Sequence, residues 1–334
     1  MDRLQEQPLI GESPVFLEVL ERVSRVAQLN RPVLVVGERG TGKELIAARI
    51  HYLSPRWDRP FVKLNCAALA ESLLETELFG HEAGSFTGAT RRRLGRFELA
   101  NEGSMFLDEL ATTSDRVQEK ILRVIEYGEL ERVGGNDTIL TDVRIIGATN
   151  EDLPTLAEQG KFRADLLDRL AFDVITLPPL RERAEDILPL AAHFAVKMSG
   201  ELGLELFKGF SEAARDLLLD YAWPGNVREL KNVVERAVYT SLGDDEPISE
   251  ITFDPFESPW RPGARQAESA AGPGPAAPTE AYDFKEHIQN TEIDLLQAAL
   301  KQCRFNQKKT AEFLGMTYHQ LRGYLRKYDL TDDP

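Results

Sequence analysis

The sequence predicts an α/β fold, a parallel sheet between layers of helices, followed by a smaller helical part and a separate helical C-terminus. Three observations carry this. Short apolar runs of strand length alternate with stretches of helical period to about residue 177, the pattern of parallel strands buried on both faces. From Ala184 to about Gly243 only the helical period remains. Residues 257–282 are rich in Pro, Ala and Gly with few apolar anchors, which reads as a flexible linker. The expected division is 1–177 for the α/β part, 178–256 for the helical part, 257–282 for the linker and 283–334 for a terminal helical domain.

Each element has its own signal. Pro14 suits a first helical turn with Ser13 as its cap, and Phe16, Val19, Leu20, Val23 and Val26 recur at helical spacing. Val33–Val36 reads as a buried strand, and a helix opens at Glu44. Phe61–Asn65 is a second strand, and residues 71–80 form an acidic helix. The stretch 80–95 holds four glycines and no regular period, so it reads as a loop. Ser104–Glu109 is a third strand, Val117–Tyr127 an amphipathic helix and Val143–Asn150 a fourth strand. Arg163–Leu170 is helical, and Asp173–Leu177 is a fifth strand stopped by Pro178 and Pro179.

A formal charge of −15 excludes a chain that coats nucleic acid over its whole surface, though not a local basic module. Cys66 and Cys303 lie far apart, with neither zinc spacing nor a disulfide framework, which suits a reducing compartment. No apolar run approaches a signal core or a membrane span, so the expectation is a soluble cytoplasmic protein.

The chemistry starts after the first strand. Gly37, Glu38, Arg39, Gly40, Thr41, Gly42 and Lys43 give the spacing G-x-x-x-x-G-K. Its glycines let backbone N–H groups turn inward around an anion, a helix N-terminus stands behind, and Lys43 can reach β- and γ-phosphates. Glu44 takes the place of the Ser or Thr that usually holds Mg²⁺. Asp108 and Glu109 close an apolar strand, where α/β sheets bind ligands. Asp108 can orient Mg²⁺, directly or through water, and Glu109 can act as general base on the attacking water of ATP hydrolysis. Thr149 and Asn150 end the next strand and can sense a γ-phosphate, or simply cap the segment that follows. Arg163 and Arg169 can reach a phosphate held by a neighbouring subunit, while ion pairs with Asp165 and Asp168 explain them equally well. Arg228 stands in the first turn of a helix that Asn226 looks set to cap, a poor place for a cation unless it meets an anion.

Two aromatic residues look exposed. Phe86 lies between glycines in the long loop, and Trp57 lies among polar and Pro residues. Near the C-terminus, two short helices flank a Gly315-Met316-Thr317 turn, the helix-turn-helix layout, with Thr317 capping the second helix. Residues 301–328 carry seven Lys and Arg against Glu312 alone, a local charge of +6. Lys308, Lys309 and Arg326 suit phosphate contact, and Tyr318, His319, Gln320 and Arg322 suit base edges of DNA. The helix Phe284–Lys301 suits pairing with its copy as a dimer.

GERGTGKE at 37–44, ELFGHEAGSFTGA at 77–89, FLDE at 106–109, GELERVGG at 128–135, FRADLLDRL at 162–170, LPPLRER at 177–183 and WPGNVREL at 223–230 stand in that order. Together they closely resemble the central AAA+ domain of bacterial enhancer-binding proteins, the activators of sigma-54 RNA polymerase. The resemblance covers roughly residues 8–245, and the C-terminal helices resemble that family's Fis-type helix-turn-helix. It implies an AAA+ P-loop ATPase with an α-helical lid, using ATP and Mg²⁺, assembling as a hexameric ring and binding an upstream enhancer site. The phosphate loop begins too early for a receiver domain before it, which is most like the phage shock branch of the family. In that branch control comes in trans from an inhibitory partner, the phage shock protein A family.

The resemblance also assigns roles. Glu44 becomes a usual variant of the nucleotide loop, and Asp108 and Glu109 the metal and water residues. Asn65 becomes the polar switch that holds Glu109 until ATP binds. Arg163 and Arg169 become fingers across a subunit boundary, and Arg228 the second sensor. Gly84, Ser85, Phe86, Thr87, Gly88 and Ala89 become the sigma-54-contacting loop, with Ser85 where the family usually has Ala. Trp57 is expected either to form part of the inhibitor-binding surface or to pack at the edge of the sheet. A DNA remodeller would need cationic residues at 84–89, and a repressor with a vestigial site would not keep Lys43, Asp108 and Glu109.

Overall fold

The computed structural model describes residues 8–86, 89–242, 246–256, 261, 284–303 and 306–328. Apart from Arg261, the expected linker lies outside the described residues. The chain forms two compact units, Met1–Pro255 and Phe256–Pro334.

The first unit begins with α1 (Pro14–Ala27), β1 (Val33–Val36), α2 (Lys43–Tyr52), β2 (Phe61–Asn65) and α3 (Glu71–Phe79). A ribbon of β3 (Gly80–His81) and β4 (Arg93–Leu94), the short α4 (Arg96–Leu99), β5 (Ser104–Asp108) and α5 (Asp115–Tyr127) follow. A hairpin of β6 (Glu129–Glu131) and β7 (Thr138–Leu140) leads to β8 (Arg144–Thr149), α6 (Leu153–Glu158), α7 (Ala164–Leu170) and β9 (Val174–Thr176). Three further helices, α8 (Ile187–Glu201), α9 (Glu212–Asp220) and α10 (Asn226–Thr240), close the unit.

The main sheet has the order β2-β5-β8-β1-β9, and every pairing is parallel. Side chains alternate across it. Val33 and Val35 pack with Phe16, Val23, Ile46 and Ile50 of α1 and α2. Leu34 points to the other face, with Leu78, Ile121 and Leu166 of α3, α5 and α7. Burying both faces explains why these strands read as unbroken apolar runs. The register sets Thr149 beside Val36 and Asp108 beside Asn65, so the strands deliver their polar ends to one edge. The α8–α10 part has its own core around fully buried Trp223, whose indole N–H donates to the Leu218 carbonyl at 2.9 Å.

Three readings need correction. Ser13 precedes α1, but its hydroxyl donates to the buried Asp186 at 2.9 Å instead of capping the helix. Asp186 also accepts the Glu12 and Ser13 N–H groups, so a distant carboxylate organises this start. The stretch 80–95 is not wholly irregular, because β3 and β4 pair at its neck. Gly80 and Gly95 meet there, and a Cβ added to Gly95 would lie 2.5 Å from the Gly80 nitrogen. The β6–β7 hairpin was not foreseen, since strands of three residues are too short to show a period.

In the second unit, α11 (Phe284–Gln302), α12 (Gln307–Phe313) and α13 (Tyr318–Lys327) bury Leu296, Leu300, Ala311, Leu321 and Leu325 together. Among the described residues no helix is long and apolar enough to cross a membrane.

Candidate nucleotide site

The loop after β1 leaves the sheet with the Gly37 N–H on the Thr149 carbonyl at 3.2 Å. Gly40 and Gly42 take φ of +80° and +100°, the left-handed region open to glycine. Gly42 caps α2, so that helix directs its N-terminal N–H groups toward the space above the loop. Lys43 is 8% exposed and curls back, donating from Nζ to the Gly37 carbonyl at 2.8 Å and the Glu38 carbonyl at 3.1 Å. Burial pushes its ammonium below the usual lysine range, while Asp108 and Glu109 draw it up. The Thr41 hydroxyl donates to the Glu38 carbonyl at 2.9 Å, and Glu44 faces Lys63 at 3.4 Å.

A cavity of about 460 Å³ lies over this loop. Arg39, Gly40, Thr41, Gly42, Lys43 and Glu44 line it together with Asp108 and Glu109. Apolar Leu9, Ile10 and Phe16 border it on one part, and His193, Lys197, Arg228 and Lys231 of α8 and α10 on another. Cations therefore face the cavity from both the loop and the helical part. Gly37 and Glu38 are not among the lining residues.

Asp108 accepts the Glu109 N–H at 3.0 Å and the Asn65 side-chain N–H at 3.3 Å. Glu109 adopts a left-handed φ of 54°, turning away from the line of β5. Among the described residues its carboxylate accepts no hydrogen bond, which leaves it open to a water. Asn65 therefore meets Asp108 rather than Glu109, a correction that follows from the β2–β5 register, which sets Asn65 directly beside Asp108. Cys66 is buried and its thiol is pushed up to about 12, by burial first and then by Asp108, so it is no nucleophile.

Other expected residues do not line this cavity. Thr149 is fully buried, and its hydroxyl accepts the Glu151 N–H at 3.0 Å, as in the capping alternative. The Asn150 side-chain oxygen is buried without a partner among the described residues. Arg163 pairs with Asp165 at 2.8 Å and Asp115 at 3.6 Å. Arg169 pairs with Glu126 of α5 at 2.6 Å, not with Asp168, and borders a second cavity of about 390 Å³. Neither arginine serves its own chain's phosphate loop. Asn226 does not cap α10, since its amide reaches back to the phosphate loop instead. Sequence reasoning missed Glu38 as a bonded group, along with the cavity-facing His193, Lys197 and Lys231. The helical spacing of 193 to 197 and 228 to 231 was the available signal.

In the 84–89 loop, Gly84 N–H donates to the Ala89 carbonyl at 2.7 Å, and Ala89 N–H to the Phe86 carbonyl at 3.0 Å. Phe86 is 46% exposed, with its ring edge-on to His81 at 5.0 Å. Ser85 packs so closely over Gly134 that a Cβ there would lie 2.5 Å from its own. Thr87 and Gly88 lie outside the described residues. Trp57 is 61% exposed.

In the second unit, Lys308, Lys309, Thr317, Tyr318, His319, Gln320, Arg322 and Arg326 are all exposed. Thr317 caps α13 in a reciprocal box with Gln320. The Gln320 side-chain oxygen accepts the Thr317 N–H at 2.9 Å in this box.

Comparison with known proteins fits this arrangement. Residues 9–176 match the family described as Sigma-54 interaction domain. The chain belongs to the family of sigma-54-dependent transcription activators. Residues 181–270 match the AAA+ ATPase lid domain, and 288–328 the bacterial regulatory protein, Fis family. The sigma-54 activator chain is 57% identical over 322 residues to the Psp operon transcriptional activator of Escherichia coli K12, covering 96% of this chain and 98% of that protein. It is 46% identical to the Nif-specific regulatory protein of Azotobacter vinelandii, over 95% of this chain but 58% of that longer protein. Among solved structures it resembles NtrX from Brucella abortus in complex with ADP, with a TM-score of 0.69 and 32% identity over 97% of this chain and 70% of that one. The chain is thus a sigma-54-dependent activator that carries an AAA+ ATPase domain with its lid and a Fis-type DNA-binding helix-turn-helix.

Proposed function

We propose that this activator hydrolyses ATP in the cavity above Lys43 and applies the resulting motion, through residues 84–89, to sigma-54 RNA polymerase at a promoter of the phage shock type. The supporting observation is convergence: the left-handed glycines, Lys43, Asp108, Glu109 and Arg228 line one cavity although the sequence spreads them over some 190 residues. The operon assignment follows the similarity to the Psp operon activator.

The loop N–H groups and Lys43 bind the phosphates, for which Lys43 exchanges its present bonds to the two loop carbonyls. Glu109 takes the proton of the attacking water, since among the described residues its carboxylate has no competing donor. Asn65 holds Asp108 in place and is a candidate for sensing the nucleotide through it. Among the described residues no cluster of three His, Cys, Asp or Glu stands ready for a metal. Mg²⁺ would therefore be held by Asp108, directly or through water, together with the phosphates, and would neutralise charge growing on their oxygens. Thr149 supports the loop from behind through its carbonyl on the Gly37 N–H.

Arg163 and Arg169 do not line their own chain's cavity and complete the site of the next subunit in a ring of six. Phe86 supplies the apolar contact to sigma-54, and exposed Trp57 suits an inhibitory partner of the phage shock protein A class. The exposed cations and the N-terminal residues of α13 hold the upstream DNA site.

Glu109→Gln tests the centre of this reading. Nucleotide binding should persist, and phosphate release should fall by roughly 10²–10⁴-fold. Unchanged release would remove Glu109 as the base.

A further inference from the structure

The phosphate loop is tied to the lid by bonds that phosphate binding does not require. Glu38, the second residue of the loop, accepts two hydrogen bonds from the Arg181 guanidinium, at 3.0 Å and 2.6 Å. Arg181 belongs to the short turn Leu180–Glu182 that leads into the lid. A third bond reaches Glu38 from the Asn226 amide at 3.0 Å. The same Asn226 donates to the Arg39 carbonyl at 3.1 Å and accepts the Leu180 N–H at 2.8 Å. It is fully buried and holds a left-handed φ of 53°, which Asn tolerates better than most residues. Backbones also touch here, because a Cβ added to Gly40 would lie 2.2 Å from the Gly225 carbonyl oxygen. The turn is braced from behind by Glu229, which accepts the Gly225 N–H at 2.7 Å and the Tyr221 hydroxyl at 3.1 Å.

A carboxylate beside a phosphate site is repulsive unless it is neutralised, and Arg181 does that. Its charge is secure, because Arg181 and then Asn226 hold the Glu38 carboxyl down to about 2. What Glu38 gains is a fixed lid. Arg228 stands two residues beyond Asn226 and lines the cavity. We infer that Glu38 is a positioning residue, which clamps the Pro224–Asn226 turn to the phosphate loop through Asn226 and Arg181 and so sets Arg228 over the nucleotide. The inference rests on the reading of this cavity as the ATP site with Arg228 as one of its contacts.

The test is steady-state ATP hydrolysis by the full chain in four variants: Arg228→Ala, Glu38→Ala, the double variant and Glu38→Gln. Arg228→Ala should raise KM for ATP about tenfold and Glu38→Ala about fivefold, the scale of a lost charged hydrogen bond and of a partial loss. If Glu38 acts through Arg228, the double variant stays near tenfold, not at the roughly fiftyfold product of two independent effects. A fiftyfold rise would overturn the inference, as would a wild-type KM in Glu38→Ala. Glu38→Gln keeps the side-chain shape and an acceptor for Asn226, so it should fold and raise KM only about twofold. A wild-type KM there would also overturn the inference. An unchanged KM in Arg228→Ala would be a different failure, removing Arg228 from the site and the inference with it.

Discussion

Lowering the pH should weaken the α/β unit through one buried histidine. His51 of α2 is fully buried, stacked on Phe61 at 4.8 Å between ring centroids, with Nδ1 3.0 Å from the Ser104 hydroxyl. Among the described residues its Nε2 is buried without a hydrogen-bond partner. Burial takes its pKa from 6.5 to about 4, with the Arg59 backbone pulling the other way and the nearby Arg144 charge a smaller cause in the same direction as burial. The folded chain thus resists a proton that the unfolded chain accepts. Stability from this group is full above the unfolded value of 6.5 and is lost as pH falls toward the folded value of about 4. Between about pH 8 and about pH 5 the loss is about 2 kcal/mol, obtained from the two protonation equilibria with RT near 0.59 kcal/mol. His51→Phe keeps the stack on Phe61 and cannot titrate. It should be less stable than the parent by about 1 kcal/mol at neutral pH, for the lost Ser104 bond, and more stable than the parent near pH 5. Chemical denaturation followed by circular dichroism at several pH values measures the difference. Parallel stability curves for parent and variant across that range would refute the reasoning.

Three further outcomes are expected. Subunits carrying Arg169→Ala and subunits carrying Glu109→Gln should each be inactive alone, yet recover part of the ATPase rate when mixed, because one supplies the base and the other the finger. No recovery on mixing would argue against action across a boundary. Arg144→Met should cost about 3 kcal/mol, since the buried guanidinium donates to the Val26, Ala27 and Arg31 carbonyls at the end of α1, a loss that thermal denaturation would register. Arg322→Ala should weaken binding to the specific DNA site by about tenfold with little effect on ATP hydrolysis, as measured by titration at fixed salt.

The parts of the fold that could be read in the sequence are those written locally. Val33–Val36, the glycines after it and the apolar strand before Asp108 each declare themselves within ten residues, because burial on both faces leaves a continuous apolar run. The helix-turn-helix was equally plain, with Thr317 capping and Leu321 and Leu325 buried as its spacing requires. What could not be read is who meets whom over long separations. Asn65 faces Asp108 because two strands align, and Asn226 reaches Glu38 across 188 positions. Arg144, inside the expected strand Val143–Asn150, is buried and ties the end of α1. Ser13 looked like a cap, and a carboxylate 173 positions away took its hydroxyl. Local propensity does not record such bonds.

The closed neck at Gly80 and Gly95 has a consequence for how this chain can change. Two glycines in contact and one short ribbon fix the distance at which the 84–89 loop leaves the sheet, whatever lies between them. The segment beyond the neck keeps its own ties to the domain, since Ser85 packs over Gly134 and the Glu82 N–H donates to the Val133 carbonyl at 3.1 Å. An exchange of residues between the two glycines would therefore have to preserve the small residues at 85 and 134 as well as the glycines themselves.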